Sequence, residues 1–127
     1  MTLELADRES LMRASYINLT TTGRKSGERR TVELSFALKG NEVLCLAGDG
    51  GKVQWYQNLF ADPKVSVRVG NLSLRGRAVK RISHPKKLAR AILALFREKY
   101  GSAYVRDWYQ GTDRAPVRIK VLGRETE

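Results

Sequence analysis

The 127-residue chain reads as a mainly β protein with added helices, an α+β chain built as a small antiparallel barrel. Three observations predict this. Short runs alternate apolar and polar residues, most cleanly where Val65, Val67 and Val69 interleave with Ser66 and Arg68. Turn residues (Gly23 to Gly27, Lys39-Gly40-Asn41, Gly70-Asn71) separate neighbouring runs by so few positions that they fit hairpins and leave no room for crossover helices. Helical spacing occurs only in isolated segments, without the regular strand–helix–strand alternation of a doubly wound sheet.

Taken in order, residues 8–14 predict a short helix. Strands follow at 15–22 and 29–38, joined by the tip Gly23-Arg24-Lys25-Ser26-Gly27. After the Lys39-Gly40-Asn41 turn, Glu42 to Ala47 returns as a third strand, and Gly48-Asp49-Gly50-Gly51 breaks the ladder. Residues 52–61 take helical spacing, with Val53, Tyr56, Leu59 and Phe60 expected on the buried side, and stop before Asp62-Pro63. A hairpin of 64–69 and 72–82 turns at Gly70-Asn71. Ser83 and Pro85 open a helix whose Leu88, Ala91, Ile92, Leu95 and Phe96 form an apolar stripe, ending at Tyr100-Gly101. A last strand is expected from Pro116 to Leu122. The expected organisation is an N-terminal segment 1–14, a single barrel domain 15–123 and a tail 124–127.

The single cysteine, Cys45, excludes an internal disulfide framework and suits a reducing compartment. Met1 to Asp7 shows no basic flank followed by an apolar run, and no apolar segment approaches the roughly 20 residues of a membrane span, so a soluble cytoplasmic protein is expected. The formal charge of +11 attracts polyanions, and residues 64–87 hold eight Lys/Arg with no acid.

The chemistry available from side chains is sparse. The one histidine, His84, stands at an expected helix start, so neither a Ser-His-Asp triad nor a zinc site has the groups it needs, and no metal is expected. No carboxylate pair is arranged for glycosidase-type acid–base work. If the chain is an enzyme, a bound cofactor must carry the hard chemistry. Two places fit one. The tip around Arg24, Lys25 and Ser26, with Arg29 and Arg30 behind it, offers backbone N–H groups and cations to a phosphate or carboxylate. The break at Gly50-Gly51 lets a planar ring approach the backbone at a strand end, ahead of a helix whose N-terminus favours anions. Tyr100, Tyr104 and Trp108 recur every four residues, so one helical face can present all three.

The compound signature Leu19-Thr20-Thr21-Thr22-Gly23-Arg24-Lys25-Ser26-Gly27 with Arg30, then Gly50-Gly51, Trp55-Tyr56-x-Asn58-Leu59-x-Ala61-x-Pro63-x-Val65-x-Val67, and finally Thr112-Asp113-Arg114-x-Pro116-Val117, resembles the deazaflavin-dependent nitroreductase family over about 16–122. That resemblance implies a split β-barrel related to FMN-binding proteins, and the coenzyme F420 with its anionic tail. It implies that Arg24, Lys25 and Arg30 hold the tail phosphate with Ser26 adding a hydrogen bond. Trp55 and Asn58 would stand beside the deazaflavin ring, with Gly50 and Gly51 in the loop that passes it. Tyr100, Tyr104 and Trp108 would cover the acceptor, with Tyr100 or Tyr104 as candidate proton donor. The implied reaction is hydride transfer from reduced F420 to a planar, electron-poor small-molecule acceptor, a quinone or nitroaromatic. An apolar quinone would bring the protein to a membrane surface.

The chain departs from the family where relatives carry a Ser-Lys pair: here Gly48-Asp49 puts an acid in place of a base. FMN, with one phosphate, is therefore the alternative cofactor. A nucleic-acid-binding barrel is the more distant alternative, and the lack of aromatics among the basic strands argues against it.

Overall fold

A computed structural model describes residues 3–109 and 113–125. Its elements are α1 (Leu5–Arg13), β1 (Tyr16–Thr22), β2 (Arg29–Ser35), β3 (Ala37–Lys39), β4 (Glu42–Ala47), a 3-10 turn (Asp49–Gly51), α2 (Gln54–Ala61), β5 (Lys64–Val69), β6 (Leu72–Ala78), α3 (Pro85–Tyr100), α4 (Ser102–Trp108) and β7 (Ala115–Arg124). All seven strands form one antiparallel sheet in the order β2-β1-β5-β6-β7-β4-β3. The sheet curls into the split barrel expected of the FMN-binding-like fold class.

The expected strand 29–38 is bent. It breaks at Phe36, so that β2 lies at one sheet edge and β3 at the other, and one stretch of chain bridges the two edges of the curled sheet. A residue at such a corner loses its ladder partners, and its backbone polar groups must be satisfied otherwise. The C-terminal end of α3 does this. Tyr100 Oη accepts from the Phe36 N–H at 3.0 Å, and Lys99 Nζ donates to the Phe36 carbonyl at 2.8 Å while sitting 3.4 Å from the centre of its ring. Burial pulls the Lys99 amine down to about 8.

The pleat sorts residues into two cores. Inside the barrel, Ile17, Leu19, Val43, Val67, Leu74 and Ile119 are each fully buried. On the outer face of β3 and β4, Ile92 and Phe96 of α3 and Val105 of α4 cover Ala37, Leu44 and Leu46. Strand β4 is thus buried on both faces, which is why Val43-Leu44-Cys45-Leu46-Ala47 reads as an unbroken apolar run. Cys45 is 1% exposed, and burial raises its thiol to about 12, so it is an unreactive core residue.

Helix α1 delivers Leu11 to the barrel core, joined by Leu3 just ahead of it, and its buried Asp7 is gripped by Arg124 at the end of β7, with the closest oxygen at 2.9 Å. Three further expectations are corrected. β6 ends at Ala78 rather than at residue 82, after a bulge between Arg75 and Gly76. Phe60 is 41% exposed, and the inward position of α2 is taken by the polar Asn58 instead. Ala91 of α3 is exposed. No described helix is long and apolar enough to cross a membrane.

Candidate functional site

The hairpin between β1 and β2 is shaped by its own backbone. Gly23 N–H donates to the Glu28 carbonyl at 2.7 Å and Gly27 N–H to the Gly23 carbonyl at 2.9 Å. A Cβ on Gly23 would stand 2.8 Å from Ser26 Oγ, and Gly27 holds φ +73°, so both glycines are required by the turn itself. Ser26 Oγ accepts from the Glu28 N–H at 3.1 Å, leaving its own proton to donate outward.

Helix α2 locks this tip in place. Asn58, 4% exposed, accepts at Oδ1 from both the Arg24 guanidinium (2.9 Å) and the Arg24 backbone N–H (3.3 Å), and donates from Nδ2 to Thr21 Oγ1 (3.3 Å). Arg24 donates also to Gln54 Oε1 at 2.8 Å. Between tip and helix lies an open groove of about 710 Å³, lined by Arg24, Lys25, Ser26, Arg30, Trp55 and Asn58 together with Arg29 and Gln54. Six of the residues named from the sequence therefore meet in one place. Arg30 is held by Glu28 at 3.1 Å, whereas Lys25 is exposed and makes no hydrogen bond or ion pair among the described residues.

A second groove, of about 480 Å³, shares Trp55 with the first. Its walls are Tyr16, Leu34, Ser35, Tyr104, Trp108 and Tyr109, with Gly48 and Arg114 at one end. Tyr104 Oη and Ser35 Oγ are 2.7 Å apart. The exposed Tyr16 hydroxyl is pushed up by its hydrogen bond to Tyr104, and burial pushes Tyr109 up against the opposing effect of its hydrogen bond to Ser35. Three tyrosine hydroxyls are thereby linked around one buried serine.

Gly101, at φ +96°, interrupts the helix that the four-residue spacing implied, yet the rings still stack. Tyr100 and Tyr104 lie 4.6 Å apart at 25°, and Tyr104 and Trp108 6.4 Å apart. Tyr104 and Trp108 face the groove. Tyr100 does not: its hydroxyl donates to the Ser15 carbonyl and serves Phe36, and burial holds it well above the ordinary phenol range. Its proton is committed to the fold, which leaves Tyr104 as the donor candidate.

Gly50 and Gly51 line neither groove. A Cβ on Gly51 would strike the Tyr56 ring at 2.6 Å, so the close approach that the glycine pair allows is made by this chain's own tyrosine. Asp49 is exposed and also lines neither groove. Gly48 is the glycine that faces the aromatic groove, where a Cβ would come within 3.3 Å of Arg114. Thr112 of the third motif lies outside the described residues. Ser35, Tyr16 and Gln54 carry no motif signal, and only the alternation of β2 and β1 marks Ser35 and Tyr16 at all; Arg114 belongs to the third motif, which gave it no role.

The model of the family "F420H(2)-dependent quinone reductase" matches residues 6–123. An F420H(2)-dependent quinone reductase of Mycobacterium tuberculosis is 32% identical over 109 residues, covering 84% of this chain and 71% of the relative. Among solved structures, an F420-H2 dependent reductase superposes with TM-score 0.58 at 28% identity, covering 85% of this chain and 94% of that one. A FAD-binding protein of Mesorhizobium loti superposes with TM-score 0.65 at 18% identity over 96% and 92% of the two chains, a likeness of fold alone.

Proposed function

The chain belongs to the F420H(2)-dependent quinone reductase family, and from that premise we propose that its two adjoining grooves hold, respectively, the anionic tail of F420 and a quinone acceptor. The protein is an F420-dependent oxidoreductase. The single observation that carries the residue assignment is the convergence of Arg24, Lys25, Ser26, Arg30, Trp55 and Asn58 on one groove that opens at Trp55 onto an aromatic one.

The donor set fits the coenzyme. Exposed guanidinium and ammonium groups on a hairpin with a free serine proton suit phosphate and carboxylate oxygens, and charge-assisted bonds of this kind are the strong ones. Lys25 and Arg30 hold the tail, Arg24 is presented by Asn58, and Trp55 stands where the tail groove meets the acceptor groove. When bound, the reduced deazaflavin supplies a hydride. The chain's own part is to orient the acceptor between Trp55, Tyr104 and Trp108, to keep water out, and to deliver the proton from Tyr104 Oη that the reduced acceptor takes up. The substrate class includes nitroaromatics, since the groove recognises a flat electron-poor ring. An apolar quinone places this activity at a membrane surface, with the barrel (15–123) as the functional domain.

The test is absorbance of the deazaflavin on mixing reduced F420, enzyme and a water-soluble naphthoquinone. Oxidised F420 should appear with wild type, and F420 affinity should fall at least tenfold in the Lys25→Ala/Arg30→Ala double variant, the loss of two charge-assisted bonds. Turnover with reduced FMN but none with reduced F420 would replace the cofactor and leave the fold reading intact.

A further inference from the structure

Strands β5, β6 and β7 carry seven Lys/Arg between them and no acid. Their register sets the outward cations side by side: Lys64 opposite Arg77, Arg77 opposite Lys120. The row continues through Glu42 on β4 to Lys39 on β3. Directly opposed like charges repel, and Lys64, Arg77 and Lys120 are exposed and have no ion pair among the described residues. The one acid in the row is already neutralised, since Glu42 is held by Arg118 through two bonds of 2.7 Å. Beside the row lies a groove of about 790 Å³, with Leu44, Leu88 and Leu122 among its walls and Lys39, Arg118 and Lys120 at its edges. None of these residues lines the tail groove or the acceptor groove.

We propose that this outer wall docks the enzyme on an anionic lipid bilayer, with headgroup phosphates along the row Lys64–Arg77–Lys120–Lys39 and the partly exposed Leu88 and Leu122 of the groove against the glycerol region. The register creates a repulsion that a sheet of negative charge relieves, and cations near an anionic bilayer each add to binding. A bilayer fits better than nucleic acid. Strands β3 to β7 contribute no aromatic side chain on which bases could stack. The proposal rests on the quinone reading in one respect: an apolar acceptor is found in the bilayer, and the wall gives the enzyme a way to stay there.

The experiment is co-sedimentation with vesicles of neutral phosphatidylcholine and of the same lipid with about 30% phosphatidylglycerol. Wild type should bind the anionic vesicles only, and less as salt rises. The Lys64→Gln/Arg77→Gln/Lys120→Gln variant should bind them roughly a hundredfold more weakly, about fivefold per charge removed. These side chains are exposed and mutually repelling, so the variant should keep its melting temperature, its F420 affinity by tryptophan fluorescence and its turnover with a soluble quinone. The Lys25→Ala/Arg30→Ala variant should lose F420 and still bind vesicles. Equal binding to neutral vesicles, or wild-type vesicle binding by the triple variant, would overturn the proposal. So would a loss of F420 affinity in the triple variant, which would give the row to the coenzyme tail, or row-dependent binding of DNA without binding of vesicles. Failure of the redox reading would show instead as no F420 binding with vesicle binding intact.

Discussion

Tyr104 sets its hydroxyl 2.7 Å from Ser35 Oγ at the wall of the acceptor groove, while Tyr100, stacked on it, turns its own hydroxyl to the backbone of Ser15 and Phe36. Removing one oxygen from each should therefore have different consequences. Tyr104→Phe keeps the stacked ring and loses the proton; with general acid catalysis worth 10²–10⁴-fold, turnover should drop by about 100-fold at unchanged melting temperature and F420 affinity. Tyr100→Phe leaves the Phe36 N–H short of its acceptor, a cost of about 1–3 kcal/mol in denaturant unfolding, with turnover near normal in the folded fraction. A stability loss in Tyr104→Phe, or a turnover loss confined to Tyr100→Phe, would exchange their roles. Sequence spacing groups these aromatics but cannot separate them. What separates them is the break at Phe36, 64 residues away from Tyr100 along the chain. Ser35 is hidden for a related reason, since a serine at the end of an alternating strand looks like any solvent-facing position until the strand bends.

The hairpin tip and α2 act as one device. Asn58 reaches the tip from the buried side of the helix and orients Arg24, whereas Glu28, on the tip itself, competes for Arg30 at 3.1 Å. The two residues should thus shift F420 affinity in opposite directions. Asn58→Ala strands Thr21 Oγ and releases Arg24, so affinity should fall about tenfold with a stability loss of about 1–3 kcal/mol. Glu28→Gln breaks an exposed pair worth about 0.2–1 kcal/mol and frees Arg30, so F420 should bind up to about fivefold tighter without a change in stability. Titration followed by tryptophan fluorescence reads both, and weaker binding in Glu28→Gln would show that Glu28 supports the tip rather than competing with the ligand. At this scale most of the fold is legible. Turn residues and alternation locate β1, β4, β5 and the start of β6, and the apolar stripe with Pro85 locates α3. Asn58 and Phe60 exchange their expected places because a pattern of apolar residues has no signal for a buried amide whose partners, Thr21 and Arg24, lie on another element.

Over the whole molecule, cations crowd two separate regions, the hairpin tip and the outer wall of β5 to β7, while the apolar residues divide between the barrel interior and the α3 layer. A net charge of +11 raises the local concentration of any anion, so affinity alone does not identify the coenzyme. The effect of the coenzyme on folding does. A ligand that binds only the folded chain stabilises it by about 2.7 kcal/mol at a hundred times its dissociation constant, which for a domain of this size raises the melting temperature by about 8–16 °C. On the proposed assignment F420 would span both the cationic tip and the opening at Trp55, whereas FMN would offer one phosphate to the same tip. At equal concentration, F420 should therefore give the larger shift in a thermal melt, and added salt should reduce it because the tail contacts are exposed. In Lys25→Ala/Arg30→Ala the F420 shift should fall toward that of FMN, since the two coenzymes then differ little in what the tip can hold. An FMN shift larger than that of F420 in wild type, insensitive to the double substitution, would mean that a flavin phosphate is held elsewhere and that the cationic hairpin is not the tail site.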